Sequence, residues 1–448
     1  MRQKDKKPGL PLRLIIFSSL AIGTFLLNQW VKRASYAVPT RNFQPRRPMP
    51  QPPGHQKILT LVAPVKPGEE KALNDVLFSI SNNRENNPYI NFSKIKSIHF
   101  ARWLVIHDDL NGYRFVFSCT YNGEFEQVIK EIADATPGLD AIWGKCTEYT
   151  GRDNFLEFAR GSFMPAAYRF FAFPNESPQT IRDKIAIRSR LQSIAGNYPR
   201  PEEVKNFLDS LHRVSYVPFW TAVEKITGWL TSEAVAAGRY VFNAIGDVLA
   251  RFFANWGLKP HVPTPFSFIG TPEEQQKHIQ HLIELDRNES PFQQNQFTLV
   301  AEIRPERYLR LRFLMLIGRL LTDYGYPPGS LIGVYTIHSL YWVILDGGQR
   351  AILCTNYDGN WSSYLGDFAR LATLLDALFN NVKGYPPSGL RQVNLFNSWI
   401  RGAQLICPLY YSGYPDETVL NIIRDREIAA TLGQEMGYDV VERLLELL

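Results

Sequence analysis

The decapeptide SIHFARWLVI at 97–106 returns as TIHSLYWVIL at 336–345, with His338 in the place of His99 and Trp342 in that of Trp103. No other feature constrains the fold as much, because self-similarity at such a distance means that one structural unit was built twice. The match continues in order on both sides. Thr60-Leu61-Val62-Ala63 recurs as Thr298-Leu299-Val300-Ala301, Tyr121-Asn122-Gly123 as Tyr357-Asp358-Gly359, and Leu139-Asp140-Ala141-Ile142-Trp143 as Leu375-Asp376-Ala377-Leu378-Phe379. Farther on, Tyr149, Arg160, Gly161, Pro174 and Glu176 answer to Tyr385, Arg401, Gly402, Pro415 and Glu417. The offset drifts only from 236 to 241 over about 130 residues, which marks a duplicated domain.

Each copy reads in the same way. An apolar strand (58–65; 297–303) leads to a helix beginning near Pro67 or Pro305, where proline suits the first turn. A hairpin follows, turning through Asn111-Gly112 or Asp346-Gly347-Gly348, residues that accept the positive φ of tight hairpins. The returning strands are 114–120 and 350–355, the second helices 125–135 and 361–375, and the last strands 141–149 and 378–385. This order, βαββαβ, is the ferredoxin-like arrangement. The expected fold class is α+β: two tandem ferredoxin-like domains, 57–192 and 297–432, forming an intramolecular pseudo-dimer. Each ends in an aromatic-rich tail and a helix opening at Pro174 or Pro415. A helical insert occupies 193–296, and a C-terminal helix 433–448.

The net charge of +6 is unevenly placed: the first 57 residues hold 11 Lys and Arg against one Asp, and the rest hold 38 basic against 42 acidic residues. A folded part with a negative balance argues against nucleic-acid binding. The basic residues of segment 1–56 instead flank LIIFSSLAIGTFLLNQWV at 14–31, about long enough to cross a bilayer. Ser35-Tyr36-Ala37 offers a cleavage site for a signal peptide, but Lys32 and Arg33 directly behind the apolar stretch favour an uncleaved, single-pass anchor. Five basic residues stand on each side, so the positive-inside rule gives no orientation. Cys119, Cys146, Cys354 and Cys407 form no CxxC pair, which indicates neither a disulfide framework nor a zinc site and leans toward the cytoplasmic side. The proline-rich 38–54 reads as an extended spacer. Within the insert, 234–257 carries one polar line, Arg239, Asn243, Asp247, Arg251 and Asn255, on an otherwise apolar helix. It is either buried in protein or laid in a membrane interface.

The polar residues kept in both copies are His99/His338, Asp140/Asp376, Arg160/Arg401 and Glu176/Glu417. The aspartates read as turn residues or caps, the glutamates as first-turn carboxylates, and the arginines as helix C-terminal charges before glycine. The histidines have no such local account. Inside a strand, two pleats from Trp103 or Trp342, they are either satisfied core residues or groups facing a cavity between the domains, able to ligate iron or move a proton. His338, His99, Arg401 and Arg160 are therefore the catalytic candidates. His338, His99, Trp342 and Trp103 are the cofactor-binding ones.

The doubled pattern over 58–150 and 297–386 resembles the α+β-barrel superfamily, which includes chlorite dismutases, dye-decolourising peroxidases and small monooxygenases. That resemblance implies paired ferredoxin-like halves forming a barrel. For the peroxidase-like members it implies haem on a proximal histidine, generally helical, and a distal acid in Gly-x-x-Asp-Gly. Thr355-Asn356-Tyr357-Asp358-Gly359 lacks the first glycine of that signature, and His99 and His338 read as strand residues. There is no Gly-rich phosphate loop, no nucleophile elbow and no His-Glu-x-x-His. Two function classes follow. One is a membrane-tethered binding or interaction module enclosing an apolar small molecule or lipid. The alternative is a haem-dependent, peroxidase-like oxidoreductase with His338 or His99 on iron and Arg401 or Arg160 as the distal group.

Overall fold

The computed structural model describes residues 55–108, 111–197, 272–288, 293–324, 328–331, 333–370, 372–432 and 438–448. The anchor at 14–31, the spacer and the insert helix at 234–257 lie outside the described residues. Among those described, no helix is long and apolar enough to cross a membrane.

The first copy runs β1 (Lys57–Pro64), α1 (Glu70–Asn82), β2 (Ile98–Asp108), β3 (Gly112–Tyr121), α2 (Phe125–Ala135), α3 (Leu139–Trp143), α4 (Phe155–Ser162), β4 (Ala166–Phe171) and α5 (Pro178–Asn197). After α6 (Pro272–Asn288), the second copy repeats the series. Its members are β5 (Gln294–Glu302), α7 (Tyr308–Tyr324), β6 (Ile337–Leu345), β7 (Arg350–Asp358), α8 (Trp361–Arg370), α9 (Ala372–Phe379), α10 (Val393–Ala403), β8 (Leu409–Ser412) and α11 (Val419–Leu432). α12 (Tyr438–Leu447) closes the chain. The hairpin glycines behave as their sequence requires: Gly112, Gly347 and Gly348 all have positive φ.

These elements form two four-stranded antiparallel sheets, ordered β1-β3-β2-β8 and β4-β6-β7-β5. The halves have exchanged strands. β4, from the first tail, pairs with β6 of the second copy, and β8, from the second tail, pairs with β2 of the first. The exchange is symmetric in register, since Phe171 faces Ser339 and Ser412 faces Phe100. Each tail also enters the other half's core: Tyr168, Phe170 and Phe173 pack in the second, and Leu409 in the first. A buried aromatic or aliphatic side chain contributes roughly 1.5–3 kcal/mol, so neither half could be lifted away without a large loss.

The strands expected at 141–149 and 378–385 are not formed. Leu139, Ile142 and Trp143 are buried at helical spacing and make α3, and only Cys146 bridges to β1, opposite Val65. In the second copy α9 ends at Phe379, and Val382 makes the corresponding lone bridge to Ile303. A short apolar run satisfies either period, and burial of one helical stripe decided it. The strands at 166–171 and 409–412, which the aromatic tails conceal, complete the sheets instead.

The two sheets share an apolar layer that includes Val62, Leu104, Ile106, Val116, Tyr341, Val343, Leu345 and Ile352. Arg102 crosses this layer from β2, 1% exposed. Its guanidinium donates to Phe297 O at 3.0 Å, Thr298 Oγ1 at 2.7 Å, Asn356 Oδ1 at 2.5 Å, and, more weakly, Gln296 Oε1 and Thr355 O at 3.3 Å. It also lies 5.9 Å from the ring of Tyr341, its own counterpart in the second copy. The space between the sheets is thus filled by side chains.

Candidate functional site

Both histidines sit at a β-bulge. Ile98 pairs with Tyr121 and Phe100 with Thr120, which leaves His99 as an extra residue, and His338 is skipped in the same way between Ile337 and Ser339. A bulge re-aims the side chain it carries, so simple alternation with Trp103 and Trp342 is broken. Trp103 stacks near Phe117 in one helix-side core and Trp342 near Phe379 in the other.

His99 is fully buried and its ring is fully engaged. Nε2 donates to Asn122 Oδ1 at 2.5 Å, and Nδ1 accepts from the Tyr414 hydroxyl at 2.9 Å, with the Gln56 amide 3.4 Å away. Burial, opposed by the hydrogen bond to Asn122 and helped by Arg182, pushes its pKa down to about 3, so the ring is neutral. His338 Nε2 donates to Asp358 Oδ1 at 2.7 Å, and Asp358 Oδ2 accepts the Val419 backbone N–H at 2.7 Å. The two copies differ for a physical reason. Asp358 corresponds to Asn122 and Val419 to Pro178, which has no N–H to offer a carboxylate.

A second difference leaves an atom unpartnered. Tyr414, which reaches His99 from the second tail, corresponds to Phe173 in the first, and His338 Nδ1 is buried without a hydrogen-bond partner. The backbone around both sites matches: Gly413 N donates to His99 O at 2.7 Å and Ala172 N to His338 O at 2.9 Å. Phe173→Tyr is therefore expected to stabilise the fold by about 1 kcal/mol, and Tyr414→Phe to cost about as much. Urea unfolding of both variants checks this; a destabilising Phe173→Tyr would show that the two pockets are not equivalent.

The other twin residues are also placed. Tyr149 and Tyr385 donate their hydroxyls to Asp140 and Asp376. Glu176 pairs with Lys184 and Arg426, and Glu417 with Arg188. Arg160 is half exposed and pairs with Glu126 at 3.1 Å. Arg401 is buried, donates to Gln404 Oε1 at 2.8 Å and lies 5.1 Å from the Trp361 ring.

These residues do not fit haem. An iron ligand needs a free imidazole nitrogen facing an open slot, whereas both nitrogens of His99 are bonded and Phe100 covers His338 at 5.2 Å. The layer between the sheets is closed by Arg102 and Tyr341, and the side chains of Arg160 and Arg401 are engaged by Glu126 and Gln404 rather than by His99 or His338. Among the described residues no cluster of three or more His, Cys, Asp or Glu is placed to hold a metal ion.

Of the candidates, Arg401 lines a pocket. About 400 Å³ in volume, this pocket opens where the end of α1, the start of β5 and the segment from α10 to β8 meet. Its wall includes Arg84, Gln293, Gln296, Arg401, Cys407 and Tyr410. The size is in the range of small-molecule sites. Its character is mixed rather than apolar: most tail aromatics pack into the cores, Tyr410 stays in the wall, and amides and guanidinium groups share the space with Leu285, Leu405 and Ile406. In the first copy the counterparts of Gln404, Leu405, Cys407 and Tyr410 are Phe163, Met164, Ala166 and Arg169, so this side of the wall is not repeated in the sequence of the first copy. Arg84 and Tyr410 therefore carry no repeat signal that would single them out in the sequence. Comparison of the chain with protein-family models, curated proteins and solved structures finds no match.

Proposed function

We propose that the chain is a membrane-tethered binding protein, built from two tandem ferredoxin-like halves, whose ligand occupies the pocket between α1, β5 and β8. The apolar stretch at 14–31 with its flanking lysines and arginines supports the tether. The single observation that carries the binding reading is the polar-lined cavity at the seam between the copies. There α1 of the first copy meets β5 and the α10–β8 segment of the second, and Arg84, Gln293, Gln296, Arg401 and Tyr410 are left around a space of small-molecule size. Cys407 faces the space, but burial keeps its thiol protonated, and among the described residues no metal-holding cluster is present, so the chemistry supported best is recognition.

Ile406, partly buried in the pocket wall, provides the test. Saturation-transfer NMR of the full chain with a set of small neutral and charged fragments is expected to find binders whose signals disappear in Ile406→Trp, which fills the pocket. If no fragment responds to that substitution, the binding reading is wrong.

A further inference from the structure

We infer that the occupant of this pocket is a small organic anion, a phosphate monoester or a carboxylate, held by the Arg84 guanidinium and the Tyr410 hydroxyl; this deepens the binding reading and rests on it. Arg84 follows the end of α1 and contributes a cation to the pocket wall. Its side chain has neither an ion pair nor a hydrogen bond among the described residues. Burial lowers its pKa, while Tyr410 and Cys407 act in the opposite direction. As a residue Arg84 is exposed, so this desolvation is partial and the side chain is free to turn toward a guest.

Tyr410 supplies a matching donor. Its hydroxyl oxygen is buried and makes no hydrogen bond, and burial pushes the phenol well above its ordinary range, which keeps the proton in place for donation. Gln293 Oε1 is likewise buried without a partner, and turning that amide over would aim its N–H groups at the same space.

Behind the wall Arg102 acts on Tyr410 more strongly than the Asp358 carboxylate does. Arg102 is bonded to five neutral acceptors and to no carboxylate, and one of them, Gln296, lines the pocket. Arg401 stands in the wall with its own partners. Asp416, exposed, is the one acid of the lining, and burial holds the Cys407 thiol protonated, its pKa pushed up to about 12. Two guanidinium groups on the wall and a third beneath it therefore outweigh the carboxylates of Asp416 and Asp358, and in a partly dehydrated space that excess favours an oxyanion.

Titration calorimetry of the full chain with phenyl phosphate and with phenol tests this, because the probes differ only in the charged group. Phenyl phosphate is expected to bind about tenfold more tightly, and Arg84→Gln to remove about that factor for phenyl phosphate while leaving phenol unchanged. Tyr410→Phe is expected to weaken phenyl phosphate about fivefold. Displacement by phosphatidic acid vesicles supports the proposal with a lipid headgroup as the anion's source; no displacement supports it with a soluble one. If phenol binds, is lost in Ile406→Trp, and matches phenyl phosphate in affinity, the anion inference falls while the pocket reading stands. It falls in the same way if Arg84→Gln leaves phenyl phosphate binding intact. If neither probe binds but neutral fragments still respond to Ile406→Trp, again only the anion inference is lost.

Discussion

Acidification from pH 7 to 4 is expected to remove about 3 kcal/mol of stability through His99 alone. The ring is neutral in the folded state because burial lowers its pKa from 6.5 to about 3. In the unfolded chain it takes up a proton near pH 6.5, so between that value and about 3 the unfolded state binds more protons. Stability therefore falls as pH falls through this window, and it is fully present above the unfolded pKa. Carboxylates titrate over part of the same range, so the readout is a difference. Urea unfolding of the wild type and His99→Gln is compared at pH 7 and pH 4, the glutamine being unable to take a proton. The two are expected to converge by about 3 kcal/mol as pH falls. A constant gap would mean that His99 is not the group responsible.

Arg188→Met is expected to cost about 3–5 kcal/mol at neutral pH. Arg188, on α5 of the first copy, donates to Glu417 at 2.6 Å and to Asp425 at 2.8 Å, both near α11 of the second, and all three side chains are at most 9% exposed. Burial raises the Asp425 pKa; Arg188 opposes that shift and Glu417 adds to it. Glu417 Oε2 and Asp425 Oδ2 have no other partner, and Arg426 is engaged by Glu176. Removing the guanidinium leaves two carboxylates facing each other in a poorly hydrated seam next to Ile428 and Leu191. The folded Asp425 pKa then loses the opposing Arg188 charge and rises further, so the penalty, measured against wild type at each pH, shrinks on acidification as Asp425 takes up a proton. Adding Asp425→Asn is expected to recover part of the loss. A double variant no more stable than the single one would rule out like-charge repulsion as the cause.

The pairing of α5 with α11 shows what a sequence conceals. Glu176 and Glu417 are recognisable as twins and as first-turn carboxylates, but their partners are not. Lys184 is local to Glu176, whereas Arg188 reaches Glu417 from 229 residues away. The candidate site follows the same rule. Arg401 stands out because both copies have it, while Arg84 and Tyr410 lack counterparts and come together only after α1 and β8 meet on one side of the exchanged sheet. His99 and His338 are visible as twins, yet the bulges that aim them depend on register with β3 and β7.

By itself the sequence determined the doubling, the two hairpins and the helix at 125–135. Those depend on repeats, on glycines that accept positive φ, and on apolar spacing within a few residues. The tertiary structure alone decided that 139–143 would be helix and that the tails would trade strands. It also decided that a polar pocket would form where α1, β5 and β8 meet. The reason is that strand edges and cavity walls are completed by whichever distant segment satisfies their hydrogen bonds and buries the most apolar surface, and no local pattern records which segment that will be.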